Sequence, residues 1–288
     1  MKALTLLFLV SLFLIPQEKS VAQETGDPLY TAELGVQMYT FRNILQEQGL
    51  EATLDIVKDM GFKYVEGGGA RGVTTKEYLQ MLADRGLSVP STGTGYQQLI
   101  DDPQAVADQA KALGAKYVMC SWVNHDTGNF NFLNASEAVE VFNKAGKVLA
   151  ENGITFMYHM HGYEFVPHRE GTLMDYIFEN TDPEYVSFEM DILWTHFGGG
   201  NPTHLLQKYE GRFKALHLKD LRKGTLKDHT GLTPGTNDVI LGAGEIDIPG
   251  ILREANKQGI KYMFIEDESP DPLYQVPESI KYLKSLTY

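Results

Sequence analysis

A single cysteine, Cys120, stands in a chain of 288 residues, so no intramolecular disulfide can form and a cysteine-stapled scaffold is excluded. Positive charge is also scarce. The 25 Lys and Arg face 38 Asp and Glu, a formal charge of -13, and an acidic surface repels phosphate backbones, which argues against a nucleic-acid substrate. The longest apolar run falls short of the ~20 residues that span a bilayer. The glycine triplets at 67–69 and 198–200 lack the GxGxxG spacing of a nucleotide-binding loop. What the chain has is apolar residues, 43% of the total, enough for a sizeable core.

The first 22 residues differ in kind from the rest. Lys2 precedes an apolar stretch over residues 3–15, and Ser20, Val21 and Ala22 form the small-x-small pattern that a signal peptidase cuts. Cleavage after Ala22 is expected, with export to the periplasm or the exterior and a mature domain over residues 23–288. No cysteine follows the apolar run, so neither a lipid anchor nor another stable membrane anchor is expected. Loss of Lys2, Lys19 and Glu18 takes the formal charge from -13 to -14.

Beyond Leu34, short β-rich runs alternate with helical periodicity, the pattern of βα units around a parallel sheet. Eight such runs are LGVQMYT (34–40), KYVEG (63–67), LSVPST (87–92), KYVMCS (116–121), ITFMYH (154–159), VSFEMD (186–191), FKALHL (213–218) and KYMFIE (261–266). Gly61, Gly86, Gly114, Gly153 and Gly259 close the helical stretches as C-caps. Eight strands fit a closed (β/α)8 TIM barrel in one domain better than an open doubly wound sheet, which leaves edges. Cys120, at the end of its run, reads as a buried residue.

In such a barrel the strands' C-terminal ends form the active-site mouth. Four successive runs of the second half carry a metal-capable residue there: His159, Asp191, His217 and Glu266. Any one has a bland explanation, since a strand-end Asp often caps the next helix. Four in order point to one cation held by two imidazoles and two carboxylates. That donor set suits Mn²⁺ foremost, with Co²⁺, Zn²⁺ or Mg²⁺ as alternatives and Mg²⁺ disfavoured by the imidazoles.

The segments LGVQMYTFR, YHMHGYEF, MDILW, HLKD, LGAGEIDIPGIL and FIEDE, in this order and spacing, resemble the xylose isomerase-like barrel superfamily. That superfamily contains sugar isomerases and epimerases, inosose dehydratases and endonuclease-IV-like enzymes. The resemblance covers most of the mature chain and implies that the family's metal positions fall on His159, Asp191, His217 and Glu266. It also implies a departure: many epimerases of the family carry a glutamate, ligand and base at once, where this chain has His159. The base must then come from elsewhere, and elimination gains weight.

Around the quartet, Lys219 lies two residues beyond His217 and shares its side of the strand, a candidate to steady an enolate or pass a proton. Glu164, in the loop after His159, is the candidate general base. His161, Gln37 and Glu66 are candidate substrate contacts, and Trp194 offers a ring to a sugar's C–H face. The loop over residues 224–242 is a candidate cover for the mouth. The expected activity is isomerisation or epimerisation of an unphosphorylated sugar or keto-sugar through an enediolate. The alternatives are a keto-glycoside lyase or inosose-dehydratase-like elimination, and a carbohydrate-binding barrel without turnover. The expected partner is a small carbohydrate, and a homo-oligomer stays open.

Overall fold

The structure, a computed structural model, describes residues 26–67 and 72–288. The segment read as an export signal lies outside them. Eight parallel strands close into a barrel: β1 (Gly35–Gln37), β2 (Tyr64–Glu66), β3 (Ser88–Gly93), β4 (Tyr117–Cys120), β5 (Thr155–His159), β6 (Val186–Asp191), β7 (Phe213–Leu218) and β8 (Tyr262–Ile265). Each pairs with its sequence neighbours and β1 closes on β8, so no edge is left unpaired. All eight fall within the runs read from the sequence or within one residue of them. The first is shorter than its run, because Met38–Phe41 coils into a 3-10 turn capped by the Gln37 side chain.

Helices follow every strand and wrap the outside. The longest, Phe132–Glu151, starts on an Asn131 cap and buries Ala135, Ala138, Val139, Phe142, Ala145, Gly146 and Leu149 along one stripe, the 3.6-residue period of an amphipathic helix. Small residues in that stripe let the helix approach the barrel closely: a Cβ on Gly146 would lie 2.5 Å from the Tyr185 carbonyl oxygen. Helix Pro103–Leu113 ends on Gly114 in the left-handed region at φ 71°, a conformation glycine adopts without steric cost.

The barrel interior is layered by the period of two along each strand. Tyr64, Tyr117 and Tyr262 close the lower end, edge to face at 5.4 Å. Above them Met119, Met157, Ala215 and Phe264 form a buried apolar layer. Phe264 lies so close to β1 that a Cβ on Gly35 would sit 2.7 Å from its ring. On top of this plug the interior turns polar. Cys120 is buried and free, on the outer face with the main core.

Candidate metal centre at the barrel mouth

Strand pairing sets the heights of the polar layer. His159 of β5 is level with Glu189 of β6, and Asp191 is level with His217 of β7; Gln37 of β1 is level with Glu66 of β2. Glu266 follows the last residue of β8 directly. Glu66, Glu189 and Asp191 are fully enclosed, His159, His217 and Lys219 are about 1% exposed, and Glu266 is 7% exposed.

Each imidazole is backed by a carboxylate. His159 Nδ1 lies 3.1 Å from Glu189 Oε2, and His217 Nε2 lies 2.5 Å from Glu66 Oε2, which also accepts from Gln37 Nε2 at 3.0 Å. Burial, then the charges of His217 and His161, hold His159 well below the usual imidazole value, so it is neutral. Its Nε2 lies 3.9 Å from Asp191 Oδ2. His217 Nδ1 stands the same 3.9 Å from that oxygen and 3.1 Å from Glu266 Oε2. Burial opposes charge on His217, but Glu189 and Glu66 outweigh it and keep the ring protonated well above the usual range.

Asp191 divides its carboxylate between two tasks. Oδ1 accepts the Trp194 N–H at 2.9 Å and caps the next helix, while Oδ2 is buried without a hydrogen-bond partner. A buried carboxylate oxygen costs free energy unless something positive approaches it, and the Lys219 ammonium does so at 3.7 Å, as an ion pair without a hydrogen bond. Four buried carboxyls, those of Glu66, Glu189, Asp191 and Glu266, face the cations Lys219 and His217. Two buried triads that share His217, His159 with Glu189 and Asp191 with Glu266, each bring one ligand atom per residue within 4.8 Å of the others, a donor set that could hold a metal ion.

The structure brings Lys219 to the same place. Its ammonium lies 3.2 Å from Glu266 Oε2, 3.7 Å from Asp191 Oδ2 and 2.5 Å from Glu268 Oε1, and 5.2 Å from the Trp194 ring centre. It is no solvated rim lysine. His161 is half-buried beside His159, with ring centres 4.9 Å apart.

Three candidate roles change. Gln37 and Glu66 are buried and committed to each other and to His217, so they support a proposed ligand rather than meet substrate. Trp194 is 4% exposed, packed beneath His161, and offers no open ring face. Glu164 is fully buried and accepts from Tyr158 Oη and from the His161 N–H at 3.0 Å. Tyr158 alternates with His159 and packs outward on Phe142 of the long helix, so Glu164 anchors the loop on the outer side of β5 instead of serving the mouth.

Two acids of the cluster were not singled out from the sequence. Glu189 sits two residues before Asp191, on the same side of β6. Glu268 sits two residues past Glu266 and pairs with Lys219. The period of two that pairs Lys219 with His217 identifies both. The loop over 224–242 does cross the mouth: Asp238–Val239 pairs antiparallel with Asp220–Leu221, Asp238 Oδ2 accepts the Glu268 N–H at 2.8 Å, and Gly231 packs against Tyr163. Asp220 anchors the segment's return, accepting the N–H groups of Gly242 and Gly244 at 2.9 Å each.

A closed parallel barrel with a buried acid–imidazole cluster at the C-terminal ends of its strands defines an enzyme-type TIM barrel. Residues 54–286 match the family model of the xylose isomerase-like TIM barrel, and the chain belongs to that family. Inosose dehydratase of Clostridium botulinum is 27% identical over 274 residues, 83% of this chain and 90% of its own length. The Clostridium perfringens inosose dehydratase is 28% identical over 206 residues, 62% of this chain and 68% of its own. The crystal structure of a sugar phosphate isomerase/epimerase from Parabacteroides distasonis superposes with a TM-score of 0.73 at 26% identity, covering 87% of this chain and 97% of that one.

Proposed function

We propose that the protein is a divalent-metal-dependent enzyme that enolises an unphosphorylated sugar or keto-sugar, with His159 Nε2, Asp191 Oδ2, His217 Nδ1 and Glu266 Oε2 holding the ion. The observation that carries this is Asp191 Oδ2, buried without a hydrogen bond, with one nitrogen of each imidazole 3.9 Å away and each opposite nitrogen tied to a carboxylate. Carboxylate–histidine pairs of this kind orient imidazoles toward a cation. When bound, the ion would supply Lewis-acid polarisation to a substrate carbonyl.

The remaining work falls to the chain's own groups. Lys219 presents a desolvated ammonium to the negative charge that grows on the substrate as a carbon-bound proton leaves. Glu268, whose side chain is 25% exposed next to Lys219, replaces Glu164 as the candidate proton acceptor. Trp194 and the 224–242 loop exclude water. Reprotonation of the enediolate isomerises or epimerises. Loss of a β-oxygen eliminates, and the second reading, a dehydratase or lyase, is favoured by the neutral His159 and by the inosose dehydratase relatives. Carboxylates around the mouth disfavour a phosphorylated substrate.

Metal analysis of the purified protein, followed by solvent-deuterium incorporation into a panel of keto-sugars with Mn²⁺ or Co²⁺, tests the reading. Exchange is expected in the wild type and not in Asp191→Asn. A metal-free protein without exchange would leave a carbohydrate-binding barrel, and exchange that survives Asp191→Asn would remove the site.

A further inference from the structure

One side of the mouth carries a wall of rings that, Trp194 apart, the chemistry above does not use. It begins at His161, beside His159. His161 stacks on Trp194 with centres 5.3 Å apart and 23° between planes, and it meets Trp122 edge-on at 5.5 Å. Trp122 in turn stacks on His125 at 5.0 Å and 21°. Trp122, His125 and His161 are each partly open to solvent, whereas Tyr163 and Phe130 behind them are buried.

The loop after β4 is built to hold this wall. The Val123 N–H donates to Tyr163 Oη at 2.9 Å, and His125 Nδ1 donates to the Val123 carbonyl at 2.7 Å, which sets the imidazole nearly parallel to the indole. His125 Nε2 and Trp194 Nε1 are buried without hydrogen-bond partners. The covering loop meets the same wall: a Cβ on Gly231, at φ 68°, would lie 2.8 Å from Tyr163 Cδ1 and 3.3 Å from Trp122 Cζ3.

Partly exposed ring faces match the C–H faces of a pyranose. The proposed quartet can hold oxygens of only one ring, next to His159 and Lys219. Trp122 and His125 stand further out, with His161 between. Resting on the sugar-enzyme reading, we propose that Trp122 forms a second sugar subsite, so that the substrate is a glycoside of at least two rings whose outer ring lies on Trp122. A free monosaccharide leaves that indole uncovered.

The test is isothermal titration of the Mn²⁺-loaded full chain with glucose and, in turn, with cellobiose, maltose and trehalose. The chain's two tryptophans, Trp122 and Trp194, both lie at the mouth, so intrinsic fluorescence gives a parallel readout. At least one disaccharide is expected to bind about tenfold more tightly than glucose, or ~1.4 kcal/mol. Trp122→Ala should abolish that difference while leaving glucose affinity within about twofold, and Trp122→Phe, which keeps a ring face, should retain most of it. Circular dichroism shows whether the variants fold, and Trp122→Leu carries the comparison if the alanine variant does not. Glucose binding as tightly as every disaccharide, or equal losses for both in Trp122→Ala, overturns the subsite alone. Binding of none of the four sugars overturns the subsite and the carbohydrate reading together.

Discussion

His217 reaches across the barrel to Glu66: Nε2 lies 2.5 Å from Oε2, joining β7 to β2 through the interior. In the proposed site this contact leaves Nδ1 of His217 for the cation. Glu66→Leu removes the acceptor, and Mn²⁺ affinity measured by calorimetry is expected to fall about 10- to 100-fold. Glu66→Gln keeps an oxygen at that place and should lose less. Unchanged affinity in the leucine variant would show that the pair orients nothing.

Asp191 serves the fold with one oxygen and the proposed site with the other, and two variants separate these tasks. Asp191→Asn keeps an acceptor for the Trp194 N–H, so the ion-free protein should melt within a few degrees of wild type while Mn²⁺ binding is lost. Asp191→Ala also loses the helix cap, at about 1 kcal/mol. Differential scanning calorimetry with and without the metal reads both effects. Full-strength Mn²⁺ binding by the asparagine variant would count against the donor assignment.

Protonation of the ion-free cluster gives a pH dependence. Burial, then the charge of Glu66, pushes Glu189 up to about 8, and burial pushes Asp191 up to about 6 against the pull of Lys219. Both lie above the unfolded carboxylate values of about 4. The folded ion-free protein therefore holds more protons than the unfolded chain between about pH 4 and about pH 8, and its stability from these groups falls as pH rises through that window. A divalent ion displaces those protons. The Mn²⁺-induced rise in Tm should grow from about pH 5 to about pH 8, with proton release seen as a buffer-dependent heat. A pH-independent rise would contradict it.

Glu164 is held at about 7, raised by burial against its hydrogen bonds to Tyr158 and the loop backbone. Its place on the outer side of β5 predicts that Glu164→Gln changes Mn²⁺ affinity by less than about twofold and slows deuterium exchange far less than the 10²- to 10⁴-fold typical of a lost general base. Glu268→Gln is the variant expected to show that larger loss. The reverse ranking in exchange rates would restore Glu164 as the base.

The strands were legible because each is a short β-rich run ending near a glycine-closed helix, and the two periods do not mimic one another. The ends of β5 and β6 were legible for the same reason: a polar residue that terminates an apolar strand stands out, as His159 and Asp191 do. Glu189 did not stand out because it lies inside its strand, where a glutamate reads as an interruption until its partner His159 is known. Glu164 misled because distance along the chain places it near His159, while the side it faces depends on how the loop after β5 folds against Tyr158.

The order of residue types along the chain determined the barrel, the direction of its strands and the rim at which His159, Asp191, His217 and Glu266 emerge, since alternation and strand direction are local properties of a polypeptide. Only the closed barrel decided that Glu66 of β2 meets His217 of β7, that Lys219 is buried between Glu266 and Glu268, and that Trp122 stays partly exposed while Trp194 is buried. Those pairings join residues up to 151 positions apart. They depend on closure and on the shape of the apolar plug beneath, neither of which any single segment encodes.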